Sequence, residues 1–172
     1  MPALVELSDN ISATIDTGLA EADVVLLTLG LTECWRVKSN GRYAAVGPEN
    51  KGDHVFPLLE FRATTFAENL ENLRATLDAI GSAFPDKRIV VTVSPVKLGQ
   101  TWTDDDIISA NLRSKATLLA VVSQIRNEYP GLIYWPSFEF SMSGDIYWFD
   151  GMHVRSDVVD IIVTSFLDTY SM

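Results

Sequence analysis

The sequence is poor in the residues that hold metals, close disulfides or grip polyanions. It has one cysteine, Cys34, and two histidines, His54 and His153. A lone cysteine forms no intrachain disulfide and no cysteine-based zinc site, so no metal or other cofactor is expected. The count also fits a reducing, cytoplasmic setting. Cations are scarce: 13 Lys and Arg stand against 23 Asp and Glu, a net charge of −10. Without a basic footprint, nucleic-acid binding is not expected, and the same charge disfavours anionic membrane surfaces. Long apolar runs are missing too. The longest, VVLLTLGL at 24–31, is far below the roughly 20 residues of a membrane span. The opening MPALVELSDN has no basic stretch followed by an apolar one, so it does not read as a signal peptide.

What is present is ample apolar material. With 172 residues, 47% of them hydrophobic, the chain reads as one domain over 1–172 with no repeat or linker. Three apolar runs lack polar alternation: Asp23–Gly30, Arg88–Ser94 and Leu132–Trp135. Such runs suit parallel strands covered on both faces. Between them, Thr65–Ile80 places Phe66, Leu70, Leu73, Leu77 and Ile80 on one helical face, with Thr64 or Thr65 as a cap. Asp104–Tyr129 and Ser156–Tyr170 read as further helices, and Asp9–Glu21 as a weaker first one. Asn40-Gly41 within Cys34–Val46 signals a hairpin. The order α–β–hairpin–α–β–α–β–α predicts an α/β fold with a mainly parallel sheet. Ligands of such sheets bind beyond the carboxyl ends of the strands, which directs attention to Gly30–Trp35, Ser94–Trp102 and 136–153.

Two places in those segments carry candidate chemistry. Gly30 at a strand end lets an oxygen approach its N–H, and the Thr32 hydroxyl is a second donor; the alternative is a glycine that merely ends the strand. Asp150, three residues before His153, can orient the imidazole for general-base work; the alternative is a capping Asp and a surface His. His54 lies in a polar loop and reads as a surface residue. Ser94 precedes Pro95, which does not suit a nucleophile elbow, so it reads as turn chemistry. Ser114 and Lys115 are adjacent on a helix and do not face each other, which argues against a Ser–Lys dyad. Trp35, Trp102, Trp135 and Trp148 read as core or rim, and three of them lie in or beside post-strand segments, as an aromatic-lined pocket would require.

Several stretches resemble one family in order along the chain. Thr28-Leu29-Gly30-Leu31-Thr32-Glu33-Cys34-Trp35 resembles the T-L-G-L-x-E-x-W block of the GSCFA family. Thr92 to Val96 resembles its T-V-S-P-V, and Ala110-Asn111 with Ser114-Lys115 its A-N-x-x-S-K. Tyr134 to Glu139 resembles its Y-F-P-S-Y-E, with Trp135 in place of Phe, and Asp150 to His153 its D-x-x-H. The resemblance implies an SGNH-hydrolase-like, three-layer α/β/α sandwich and an ester hydrolase or acyltransferase acting on a small-molecule or glycan ester. It further implies that His153 is the general base, that Asp150 orients it, and that Gly30 and Thr32 hold the oxyanion. The family's G-S-C-F-A block, with its nucleophilic Ser, does not occur in the sequence, and Ser8 reads as a helix cap instead. The chain is therefore expected to be the C-terminal part of the family domain, or a catalytically inactive binding or scaffold domain of the same fold. Loss of a first strand would expose a sheet edge, which predicts pairing with an N-terminal segment or a second copy. A nucleotide-binding α/β protein is disfavoured because no Gly-rich phosphate loop follows any strand.

Overall fold

The computed structural model describes residues 13–44, 54–142 and 153–170. A helical run over 13–21 (α1) precedes β1 (Val24–Leu29), β2 (Glu33–Val37), β3 (Tyr43–Ala44) and β4 (Leu59–Ala63). Then come α2 (Phe66–Ala83), β5 (Arg88–Val93), α3 (Ile107–Glu128), β6 (Ile133–Trp135), α4 (Ser137–Met142) and α5 (Ser156–Tyr170).

The three apolar runs form one parallel sheet in the order β1-β5-β6. β5 is central, and Val90, Val91 and Val93 are completely buried, which is why its run shows no polar alternation. The expectation that all three runs are covered on both faces does not hold for β1. Among the described residues it lies at the edge, and Leu26 is 45% exposed. Leu27 and Leu29 turn instead toward a core of Leu73 and Leu77 from α2, Val91 and Val93 from β5, and Leu118, Val121, Val122 and Ile125 from α3.

Local chemistry sets the helix ends. Thr65 caps α2 in a capping box: its Oγ1 accepts the Glu68 N–H at 3.2 Å, and its own N–H donates to Glu68 Oε2 at 2.8 Å. α3 starts three residues later than the acidic run at Asp104 suggests. Asp106 is extended rather than helical, and its carboxylate accepts the N–H groups of Ile108 and Ser109, both at 3.0 Å. Among the described residues no helix is long and apolar enough to cross a membrane.

The hairpin is present but belongs to a larger unit. β2 pairs antiparallel with β3 around Asn40-Gly41, where Gly41 takes φ +70°, and also with β4, which the sequence did not suggest. Arg36 sits opposite Glu60 in that pairing, and their side chains join at 2.7 Å. Trp35 packs edge-on against Phe61 and Trp102 at 5.5 and 5.2 Å, fastening this second sheet to the loop after β5. Trp135 meets Phe166 and Tyr170 of α5. These three tryptophans are thus spent on packing; Trp148 lies outside the described residues.

Ile125 is fully buried within the core cluster. Ile125→Ala should lower unfolding free energy by about 2–5 kcal/mol in urea titrations, through lost burial and a residual cavity. A loss under about 0.5 kcal/mol would contradict this packing.

Candidate active site at the carboxyl edge of the sheet

The loop leaving β1 is fixed by one face of α3. Asn111, Ser114 and Lys115 stand at i, i+3 and i+4, so they share a face. Ser114 Oγ accepts the Thr32 N–H at 2.8 Å, and Lys115 Nζ donates to the Gly30 carbonyl at 2.8 Å. Asn111 Oδ1 accepts the Leu98 N–H at 3.0 Å, so the same face also holds the loop after β5. The Thr32 carbonyl accepts both the N–H and the hydroxyl of Thr64, each at 2.8 Å. Thr32 is buried, and all its backbone polar groups are engaged.

Gly30 is different. It is exposed, and its N–H has no hydrogen-bond partner among the described residues. A Cβ built there would meet nothing within 4 Å, and its φ is not positive. Neither packing nor backbone conformation demands glycine at this position.

Lys115 is fully buried, yet no carboxylate pairs with it among the described residues. Burial alone pushes its ammonium down from 10.5 to about 8. Sequence reasoning placed Lys115 in a motif and gave it no role. The i, i+3, i+4 spacing of Asn111, Ser114 and Lys115 was the available signal, but only the fold shows which loops that face meets.

The neighbouring strand ends are joined by hydroxyls. Thr92 Oγ1 lies 2.6 Å from both the Trp135 carbonyl and Ser137 Oγ, and Ser137 Oγ is 3.0 Å from the Val93 carbonyl. Ser94 Oγ accepts the Val96 N–H at 3.2 Å, the turn role expected of it. His54 is exposed. The Cys34 thiol bonds the Arg62 carbonyl, and burial raises its pKa.

His153 is exposed and lies three residues before α5, two residues before Arg155, which pairs with Asp157. Its orienting partner by sequence, Asp150, lies outside the described residues. Gly30 and Thr32 are therefore brought together by the α3 face, while the Asp150–His153 pair is an expectation from the sequence. No group of three or more metal-ligating side chains occurs among the described residues.

A cavity of about 470 Å³ beside Phe84, Pro85, Lys87 and Ile89 opens at the amino end of β5, the wrong end for Gly30. One of about 550 Å³ borders Asn111 and Leu98.

The GSCFA family model matches residues 3–166. The chain belongs to the GSCFA family. The stretches that resemble the family's blocks make the contacts just described: Thr28–Glu33 holds the Gly30 loop, Ala110–Lys115 the helix face that fastens it, and Thr92–Val96 with Tyr134–Ser137 the hydroxyl cluster. No curated protein and no solved structure matches the chain significantly.

Lys115 makes stability depend on pH. Its folded pKa lies below the ordinary lysine value, so between about pH 8 and 10.5 the unfolded chain binds more protons. Stability should rise through that window, and the burial cost should be fully present below it, on the order of 3 kcal/mol. Denaturant titrations of the wild type and Lys115→Met should show the wild type gaining relative to the variant as pH rises from 8 to 10.5. A pH-independent difference would contradict an ammonium whose charge burial disfavours.

Proposed function

We propose that this GSCFA chain is an SGNH-like ester hydrolase or acyltransferase domain, with Gly30, Thr32, Asp150 and His153 in one site at the carboxyl edge of the parallel sheet. In this reading a hydroxyl nucleophile attacks the carbonyl carbon of a small-molecule or glycan ester. His153 takes the hydroxyl proton, Asp150 steadies the imidazolium, and the Gly30 N–H meets the developing oxyanion. His153 then returns the proton to the leaving alkoxide, and water or an acceptor alcohol releases the acyl group. The three-layer α/β/α arrangement belongs to the same reading. It is supported by α2 and α3 packing on the Val91 and Val93 face, while Trp135, in register with Thr92, meets α5.

The observation that carries the proposal is the Gly30 N–H, which has no partner among the described residues, on an anchored loop. A donor fixed in place before substrate arrives needs no reorganisation during reaction. Thr32 anchors the loop through its N–H on Ser114 Oγ and in this reading offers its hydroxyl as the second donor. His153 is supported at the same edge by the direction of α5: the helix ends with the Tyr170 carbonyl on Arg88, the first residue of β5, at 3.1 Å. In this reading the first turn of α5, and His153 before it, stand toward the other end of the strands.

The second reading is an inactive binding or scaffold domain. It is favoured by the absence of a G-S-C-F-A block from the 172 residues.

The test is turnover of 4-nitrophenyl acetate by the chain, His153→Ala and Gly30→Ala. The proposal expects a faint rate, insensitive to serine reagents, that His153→Ala lowers at least about tenfold and that Gly30→Ala lowers less, because alanine keeps the N–H and only its methyl crowds the approach to it. Gly30→Ala should fold normally, because its added methyl meets open space. Equal rates in all three proteins would overturn the catalytic reading in favour of the binding domain. A robust, serine-reagent-sensitive rate abolished by His153→Ala would place a nucleophile within this chain, with Ser8 and Ser94 the first to replace.

A further inference from the structure

Asn111 stands one helical turn before Lys115, on the face that fastens the Gly30 loop. Its Oδ1 is committed to the Leu98 N–H, which fixes the orientation of the amide. Its Nδ2 group is left with no hydrogen bond among the described residues. Asn111 borders the cavity of about 550 Å³ between residues 97–98 and the helices α3 and α4. The other walls are apolar: Leu98, Ile107, Ile108, Leu112, Phe138 and Met142. Lys97 completes the lining and is already engaged in a contact of its own.

The helix wastes apolar surface here. Ile108 and Leu112, at i and i+4 on α3, are 77% and 60% exposed. They contribute little to the core, yet they extend the wall begun by buried Leu98 and Phe138. A concave apolar site with one convergent polar group is the usual form of a small-molecule pocket. Here the polar group is a donor without a charge, so the matching ligand carries a neutral acceptor at one end of an apolar body.

We propose that this cavity is an acyl subsite. It takes the straight aliphatic chain of a neutral ester or amide, with Asn111 Nδ2 donating to the ligand carbonyl at the end nearer the Gly30 loop. The ester chemistry of this assignment rests on the reading under Proposed function; the binding does not require turnover.

The experiment titrates the whole chain with N-methyl octanamide and N-methyl acetamide, neither of which is turned over, following amide signals by NMR. Octanamide should bind at least about 30-fold more tightly, since each buried methylene adds roughly fourfold at most. The double variant Ile108→Glu/Leu112→Glu alters two exposed positions and should keep its fold by circular dichroism. It should bind octanamide at least tenfold more weakly. Asn111→Asp keeps the acceptor for Leu98 and removes the donor, and should weaken octanamide binding about tenfold. Equal affinity for the two amides, or unchanged octanamide binding by the folded double variant, would overturn the subsite while leaving the ester reading untouched. Octanamide binding with these variant effects, but no His153-dependent turnover, would establish the subsite and overturn the ester reading alone.

Discussion

The hydrogen bond from Lys115 Nζ to the Gly30 carbonyl is the constraint on which the carboxyl edge of this sheet depends. An ammonium with no carboxylate partner among the described residues is costly to bury, and the helix that carries it, α3, is held from below. Leu118, Val121, Val122 and Ile125 of the same helix enter the core beneath the sheet. Farther toward the helix start, Ser114 and Asn111 fasten Thr32 and Leu98. One helix thus fixes the core and the two loops that follow β1 and β5. A change in its packing would be felt at Gly30 without any residue of that loop being altered.

The rest of the edge is joined by short hydroxyl contacts rather than charges. Thr92 and Ser137 tie β5, β6 and the start of α4 together in a buried cluster. Links that attach the antiparallel sheet include the Thr101 hydroxyl on the Glu33 carboxylate at 2.9 Å, the Arg62–Glu68 ion pair with α2 and the Trp35–Trp102 contact, while Thr64 bonds the Thr32 carbonyl. Polar side chains here do for loops what ladders do for strands. They pair backbone groups that the strand ends leave unmatched.

Much of the fold was legible in the sequence because its signals are local. The β5 run is continuous because that strand is buried on both sides, and Ser156–Tyr170 matches α5 to the residue. The start of α2 was legible to within one residue as a threonine cap at Thr64 or Thr65, and Thr65 is the one that caps it. β4 was not legible: Leu59–Ala63 is a short mixed segment, and its strand character comes from pairing with β2, more than 20 residues away. The edge position of β1 was hidden for the same reason, since its composition is that of a buried strand. In the candidate site, Gly30 stood out as a strand-end glycine. The roles of Asn111, Ser114 and Lys115 did not, because spacing shows that they share a face and only topology shows what that face meets. Asp150 and His153 remain linked by sequence pattern and family membership.

The central claim is that α3 holds the loop after β1 so that the Thr32 amide is pinned while the Gly30 amide, two residues earlier, meets no partner among the described residues. Amide hydrogen exchange measures both groups at once. In the wild type, Thr32 should be protected and Gly30 should exchange at nearly the rate of an open loop. Ser114→Ala should accelerate Thr32 by about tenfold, the equivalent of one hydrogen bond, and leave Gly30 as it was. Strong protection at Gly30, or a Thr32 amide that exchanges freely in the wild type, would contradict the account.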